Sequence, residues 1–373
     1  MLTPRQLENI PERMVEIYAD VEAAIIADMA RRIARVDFIP SAEWQYRKLL
    51  EMGYVHNEIV KRLSRASKFS RDTLEQIMKA AGIKSIKKDM ERYRAAGLKP
   101  PSYGSPMMQA ILQSGLDNTQ GMFDNITRTT AASAAHQFEN VLDRAWLQVT
   151  SGGIDRVSAV RSAITDLADK GLRTIEYPTG HVDYLDVATR RATLTGVNQT
   201  AGKMQEALAD EMGADLMELT AHAGARDTGE GSANHASWQG KIVSRSGRSG
   251  YLSFEDIGYG TGPGFKGWNC HHDWFPFFEG ISEPTYTQEE IDKLSAPMYT
   301  YNGTRMNEYQ ATQTQRAIER RIRKYRRELA GMEAGGQPKE ASAAALAEWL
   351  DKQENFIKQT GLKRQYDRER VGG

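Results

Sequence analysis

Apolar residues spaced three or four positions apart are the feature that most restricts how this 373-residue chain can fold. Met14, Tyr18, Val21, Ile25 and Met29 follow this spacing, which places them along one face of an α-helix. The pattern returns repeatedly before residue 120. We therefore expect the first third of the chain to consist of successive helices.

The helical pattern stops and resumes at glycine and proline. The stretch "DKGLRTIEYPTGH" predicts a turn or a short strand pair, and it precedes a long helix that ends at Gly213. Short β-like runs at 216–222 and 238–244 then predict a small, irregular sheet. Past Pro284 the chain returns to helix, and "GMEAGGQPKE" joins two helices of a predicted hairpin. The predicted class is mainly α with a small irregular β region, α+β.

Three segments follow from this reading of the chain. We predict an N-terminal helical region over 1–120, an α+β core over 121–285, and a basic helical hairpin with a tail over 286–373. Lys plus Arg and Asp plus Glu number 49 each, so the whole molecule has no general attraction to nucleic acid or membrane. A single cysteine, no secretory signal pattern and no apolar run of about eighteen residues predict synthesis in a reducing cytoplasm and no membrane partner.

The stretch "GWNCHHDWFPFF", residues 267–278, contains the single cysteine and two of the seven histidines of the chain. Cys270, His271, His272 and His235 are zinc-ligand types, although their spacing is unlike that of paired zinc ligands. Cys270 and His272 could share a face, with His235, and as an option His222, contributed by the preceding strands. Cys270 beside His235 also suggests a thiol nucleophile, and His235, Asn269 and His272 suggest a metal-dependent nuclease. The fourth interpretation, which we favour, is a structural closure in which aromatic side chains hold a glycine-rich loop. We expect no cofactor, with zinc as the one alternative.

The closure interpretation makes two predictions about the loop. Trp268 should be a buried anchor. His235 and His272 should face each other or share a partner, because the loop must be tied to the strand before it.

Three stretches, taken in order, resemble a known family. These are "YPTGHVDYLDVATRRATLTGVNQTAGKMQE", "ELTAHAGARDTGEGSANHASWQGKIVSRSG" and "FEDIGYGTGPGFKGWNCHHDWFPFFEGIS". They resemble the phage minor capsid protein 2 family, within the Mu F-like head-morphogenesis proteins. The residues that carry the resemblance are Gly180, Arg190, Arg191, Thr195, Gly196, Asn198, Gln199, Arg226, His235, Trp238, Gly240, Gly267, Trp268, Asn269, Cys270 and His272.

The resemblance departs from the family's usual pattern at one place, where His271 follows the cysteine instead of arginine. It implies a structural, non-enzymatic minor capsid protein of a tailed phage. Such a protein is expected in the virion interior beside the portal, with the portal protein and inner capsid or scaffold as partners. Contact with packaged double-stranded DNA is a further implication. The alternative left open is a virion-carried metal- or thiol-dependent enzyme built on His235, Cys270 and His272.

Basic helices are where DNA contact is expected. The helix "QRAIERRIRKYRREL" carries seven bases against Glu319 and Glu328, and four of its arginines advance along one flank: Arg316, Arg320, Arg323 and Arg327. Two acids cannot balance seven bases, so we predict a DNA or portal contact there, with a solvated helix as the alternative. The stretch 61–99 is also basic and has the same two interpretations.

Overall fold

Ten helices account for most of the described residues of the computed structural model, which describes residues 1–38, 42–176 and 180–372. In chain order they are α1 Pro4–Asn9, α2 Glu12–Arg35, α3 Ala42–Ala95, α4 Pro106–Thr150, α5 Arg156–Lys170, α6 Leu185–Met212, α7 Gln288–Ser295, α8 Glu308–Ala334, α9 Glu340–Thr360 and α10 Tyr366–Glu369. Across the described ranges, none of these helices combines the length and apolar character needed to cross a bilayer.

Seven short strands form three small antiparallel sheets among the described residues. In chain order they are β1 Arg173–Glu176, β2 His181–Tyr184, β3 Leu216–Leu219, β4 Ile242–Ser244, β5 Trp274–Pro276, β6 Tyr299–Tyr301 and β7 Thr304–Met306. β1 pairs with β2 and β6 with β7, while the third sheet has the order β4-β3-β5. The predicted mainly α class with a small β region is confirmed. The predicted strand pair is β1–β2, and residues 177–179 between the two strands, where a turn was also predicted, lie outside the described part.

The chain divides into two compact units, each built from three separate stretches. Unit 1 comprises Met1–Glu12, Arg71–Gly121 and Arg190–Gln313, and unit 2 comprises Arg13–Ser70, Met122–Thr189 and Thr314–Gly373. Each unit thus takes residues from all three segments predicted from the sequence, 1–120, 121–285 and 286–373. The predicted boundaries do not coincide with the units because long helices such as α3 contribute to both.

The core of unit 1 packs helices against the β4-β3-β5 sheet. α3 contributes Met90 and Tyr93, and α6 contributes Leu208, to a cluster that also contains Met217 of β3 and Trp274 of β5. In the sheet, Glu218 of β3 pairs with Ile242 of β4 and with Phe275 of β5. β3 is buried along its whole length because a strand lies on either side of it and helices cover it.

Two glycines let α4 and α6 approach closely inside unit 1. A Cβ on Gly196 would lie 2.1 Å from Oγ1 of Thr119, and a Cβ on Gly115 would lie 2.0 Å from Oγ1 of Thr200. Neither distance is physically accessible, so a larger residue would push the helices apart. This contact fixes the position of α6, which carries side chains toward the site described below.

Unit 2 is built from helices and the β1–β2 hairpin. Tyr18 of α2 stacks on Phe123 of α4 with ring centroids 5.4 Å apart, and Trp44 of α3 stacks on Trp146 of α4 at 6.1 Å. α8 and α9 contact each other, since Oγ of Ser342 donates to Glu328 at 2.8 Å. These two helices are the predicted C-terminal pair.

Candidate functional site

The candidate site lies in unit 1, where a glycine-rich loop meets the β4-β3-β5 sheet. His222 follows β3, and His235 begins a single 3-10 turn, His235–Ser237, directly before Trp238. Cys270 and His272 come at the end of the loop, just before β5. Strand pairing between β3 and β5 brings Cys270 and His272 beside the segment that follows β3, and the contact of His235 Nε2 with the carbonyl oxygen of Pro263 adds the 3-10 turn.

The loop is held by close backbone approaches that only glycine permits. A Cβ on Gly264 would lie 2.2 Å from the carbonyl oxygen of Gly258, and a Cβ on Gly267 would lie 2.1 Å from that of Thr261. Asn269 has a positive φ of 53°, a conformation that asparagine tolerates better than most residues. The loop thus has one backbone path, and that path presents Cys270 to the sheet.

Side chains from outside the loop bind its carbonyl groups. Arg226 donates to the carbonyl oxygens of Pro263 at 2.9 Å and Trp268 at 2.8 Å. Nδ2 of Asn198, on α6, donates to the carbonyl oxygen of Cys270 at 2.9 Å. These bonds satisfy backbone acceptors that no regular structure pairs, which is the role expected of a structural closure.

A cluster of rings and one thiol lies beneath the loop. The ring centroids of His235 and His272 are 5.4 Å apart in an edge arrangement, so the two side chains lie close together as the sequence predicts. Trp238 lies 4.6 Å from the ring of His235 and 4.8 Å from that of His272. Sγ of Cys270 is 3.8 Å from Nδ1 of His272. Cys270, His272 and His235 are all buried.

Burial shifts the ionisation of the whole cluster toward neutral forms. It lowers the pKa of His235 to about 4, lowers the pKa of His222 to about 4, and lowers the pKa of His272 well below its ordinary value. Burial also raises the pKa of the Cys270 thiol. At neutral pH the histidines are uncharged bases with lone pairs available.

The geometry does not support the two catalytic interpretations of this stretch. A thiol nucleophile must be reachable and partly ionised, whereas Cys270 is fully buried and its pKa is raised. The nuclease interpretation needs Asn269 beside the histidines, but Asn269 is exposed. The three buried residues His235, Cys270 and His272 do offer ligand atoms within 4.8 Å of one another, so the cluster can chemically hold a metal ion.

Lys266 and Asp273 form a buried ion pair that the sequence reasoning missed. Nζ of Lys266 contacts Oδ1 of Asp273, and both side chains are fully buried. Burial, the largest single influence, raises the pKa of Asp273, but the charges of Lys266 and of the N-terminal ammonium together with hydrogen bonds from Lys266 and the backbone of Leu2 outweigh it, so the pKa is lowered. The available signal was a lysine within a glycine- and aromatic-rich loop, seven positions before an aspartate. This pair joins the loop to the start of β5.

Trp268 is not the buried anchor that the motif predicted. Its side chain is 38% exposed, and its ring lies against Gly262, with the guanidinium of Arg191 5.7 Å from the ring centroid. Trp238, Phe265 and Trp274 are buried instead. Gly240 has a φ of 69° in the turn before β4, and a Cβ there would meet Ile291 at 2.7 Å.

The four arginines predicted to form one contact face on α8 do not form it. Arg327 is 3% exposed, its Nε donates to the carbonyl oxygen of Ala168, and its guanidinium lies 3.7 Å from Glu22. Arg323 pairs with Asp186 at 3.0 Å. Arg320 remains exposed and Arg316 is half-buried. Acids from other elements of unit 2 pair with Arg323 and Arg327, so a charge count that included only the glutamates of α8 overestimated its free positive charge.

Comparison with known proteins places the chain among phage proteins. The profile described as "Phage minor capsid protein 2" matches residues 2–358. The chain is 25% identical over 347 residues to a "Structural protein" of Lactococcus phage LL-H, which covers 88% of each chain. It is 34% identical over 124 residues to a "Structural protein" of Lactococcus phage mv4, covering 32% of this chain and 92% of that relative. No solved structure matches.

The chain is mainly helical and is similar to phage structural proteins along most of its length, which places it in the class of phage structural proteins. The match to residues 2–358 is close to the full length of the chain. The chain belongs to the phage minor capsid protein 2 family.

Proposed function

We propose that this protein is a head-morphogenesis component that binds the portal inside the procapsid and contacts packaged DNA. Family membership supports the capsid role, and the portal is the partner that the resemblance of residues 177–282 implies. The observation that carries the proposal is an exposed apolar strip on α3. In this proposal the protein is made in the host cytoplasm and is enclosed in the head of a tailed phage.

The apolar strip on α3 consists of Tyr46, Leu49, Leu50 and Tyr54. Their side chains are 64%, 62%, 43% and 58% exposed. Spacings of three and four residues place them on one face of the helix. Contiguous exposed aromatic and aliphatic side chains are typical of protein-contact surfaces, since each would otherwise leave apolar area in water. A portal subunit is the partner that we assign to this strip.

Co-expression with the portal protein of the same phage tests the strip. Leu49→Ser with Leu50→Ser should abolish co-elution on size exclusion, because burial of two leucines is worth about 3–6 kcal/mol of contact energy. The matched control is Leu147→Ser with Val157→Ser, which changes side chains that are 60% and 48% exposed elsewhere in unit 2. Co-elution that survives the α3 change would remove the strip from the portal interface.

A basic face on α3 is the surface that we assign to DNA. Lys84, Lys87, Lys88 and Arg94 are exposed, and none of them forms an ion pair within the described part of the chain. Glu91 is an exposed acid on the same face. The stretch from Lys84 to Arg94 rises about 15 Å along the helix, which matches about four phosphates of one DNA strand.

The contrast with α8 supports this assignment. On α8, Arg323, Lys324 and Arg327 each have a carboxylate partner in unit 2, so binding phosphate there would first require breaking internal ion pairs. Lys84, Lys87 and Lys88 of α3 could bind phosphate without first breaking an internal ion pair of the described residues. Their point charges suit a sequence-independent contact driven by counterion release.

Titration with random duplex DNA at several salt concentrations tests the basic face. Replacing Lys84, Lys87 and Lys88 with Gln should weaken binding and reduce the slope of log affinity against log salt by about 2–3. The matched control replaces Arg320, Lys358 and Lys363 with Gln, three exposed bases whose loss changes net charge equally. Equal slopes for the two triple variants would refute the assignment of DNA to α3.

A further inference from the structure

The buried cluster of His235, Cys270 and His272 has a property that neither a portal contact nor a DNA contact uses. Its three ligand atoms lie within 4.8 Å of one another. Bonds of about 2.3 Å to sulfur and 2.1 Å to nitrogen in a tetrahedral zinc site separate such atoms by about 3.6 Å. The observed 3.8 Å between Sγ of Cys270 and Nδ1 of His272 is already close to that separation.

Hydrogen bonds fix the tautomer of both clustered histidines. Nε2 of His235 lies 2.8 Å from the carbonyl oxygen of Pro263, which can only accept, so Nε2 carries the proton. Nε2 of His272 lies 3.3 Å from Oε1 of Gln239. The backbone N–H of His222 donates to that same Oε1 at 3.0 Å, which identifies the atom as oxygen.

It follows that Nδ1 is the unprotonated nitrogen in both His235 and His272. Histidines that bind metals commonly donate their other ring N–H to a carbonyl or amide oxygen, which orients the ring and raises its basicity. Pro263 and Gln239 occupy those outer positions here. The arrangement therefore contains the supporting partners of a metal site as well as its ligands.

His222 provides a fourth nitrogen beside the cluster. Its ring centroid lies 4.5 Å from that of His272. Nε2 of His222 is buried and has no hydrogen-bond partner among the described residues. An uncompensated buried polar atom is costly, and a metal ion would satisfy it.

We propose that His235, Cys270 and His272 bind a transition-metal ion with His222 as the fourth ligand, and that Zn²⁺ is the ion. Mixed nitrogen and sulfur ligands in a tetrahedral, solvent-excluded set match the preference of zinc. With all four positions filled by protein, the ion would be structural, joining the end of β3, the 3-10 turn and the loop. This proposal is independent of the portal and DNA contacts.

Metal analysis of the full-length protein, expressed with added Zn²⁺, is the first test. We expect stoichiometric zinc in the wild type, and Co²⁺ substitution should give a thiolate-to-cobalt charge-transfer band. Cys270→Ser should lose both signals, whereas His136→Gln, which changes an exposed histidine of unit 2, should keep them. Wild type that contains no zinc and shows no cobalt band would overturn the proposal, even if variants fail to fold.

Two further variants test the individual assignments. Gln239→Leu removes an outer partner but no ligand, so zinc affinity should fall about 10- to 100-fold while the thiolate band persists. His222→Gln should alter the cobalt spectrum and weaken binding. An unchanged spectrum and affinity in His222→Gln would refute His222 as the fourth ligand, and unchanged affinity in Gln239→Leu would refute the tautomer argument.

Discussion

Replacing Arg327 with Gln should destabilise unit 2, because this arginine is paired inside the protein. Its guanidinium lies 3.7 Å from Glu22, and the two side chains are 4% and 5% exposed. At an effective dielectric constant of about 20, a charge pair at this distance is worth about 4–5 kcal/mol. Loss of one partner of a buried pair commonly costs about 3–5 kcal/mol, and we expect that range for Arg327→Gln at pH 8.

The stability lost in Arg327→Gln should increase as the pH increases. Burial raises the pKa of Glu22 above its ordinary value of 4.5, and Arg327 opposes that rise. Because the folded carboxyl holds its proton more tightly than the unfolded one, its contribution to stability is lost as pH increases from 4.5 toward the folded pKa. Removal of Arg327 raises that pKa further, so the destabilisation should be smaller at pH 5 than at pH 8.

Urea unfolding followed by circular dichroism at the two pH values measures both effects, with hydrogen exchange of α2 and α8 peptides to localise the change. Arg320→Gln is the control, because Arg320 is exposed on the same helix and should cost less than about 0.5 kcal/mol. A cost for Arg327→Gln equal to that of the control, or one that does not change with pH, would refute the reasoning.

Two other stability predictions follow from the loop. Trp274→Ala should lower the free energy of unfolding in urea by about 3–5 kcal/mol, because Trp274 is fully buried. Trp268→Ala should lower it by clearly less, because Trp268 is 38% exposed, and equal losses for the two variants would contradict the observed burial. Gly267→Ala should destabilise the protein by more than about 2 kcal/mol, because the new Cβ would meet a carbonyl oxygen. Gly53→Ala in α3, where a Cβ meets no other atom, should stabilise it by about 0.5–1 kcal/mol, and thermal melts that rank the two variants the other way would contradict the loop geometry.

Local patterns in the sequence predicted the elements well. The three- and four-residue spacing of Met14, Tyr18 and Ile25 correctly indicated α2, and Gly213 was correctly placed at the end of α6 with a φ of 63°. These features depend on neighbouring residues, because a helix face and a left-handed φ are set within a few positions of the chain. The proximity of His235 and His272 was also predicted, and their ring centroids are 5.4 Å apart.

Only the tertiary structure decided which charged side chains have an internal partner and which remain available for binding. Arg327 bonds the carbonyl group of Ala168, 159 positions earlier, and its carboxylate partner is on α2. Lys84 on α3 is equally basic in sequence but has no partner among the described residues. The exposure of Trp268 and the acceptor roles of Pro263 and Gln239 likewise arise from packing. Sequence determined which charges and donors the chain carries, whereas long-range packing determined which of them meet, because burial and ion pairing depend on residues far apart in the chain.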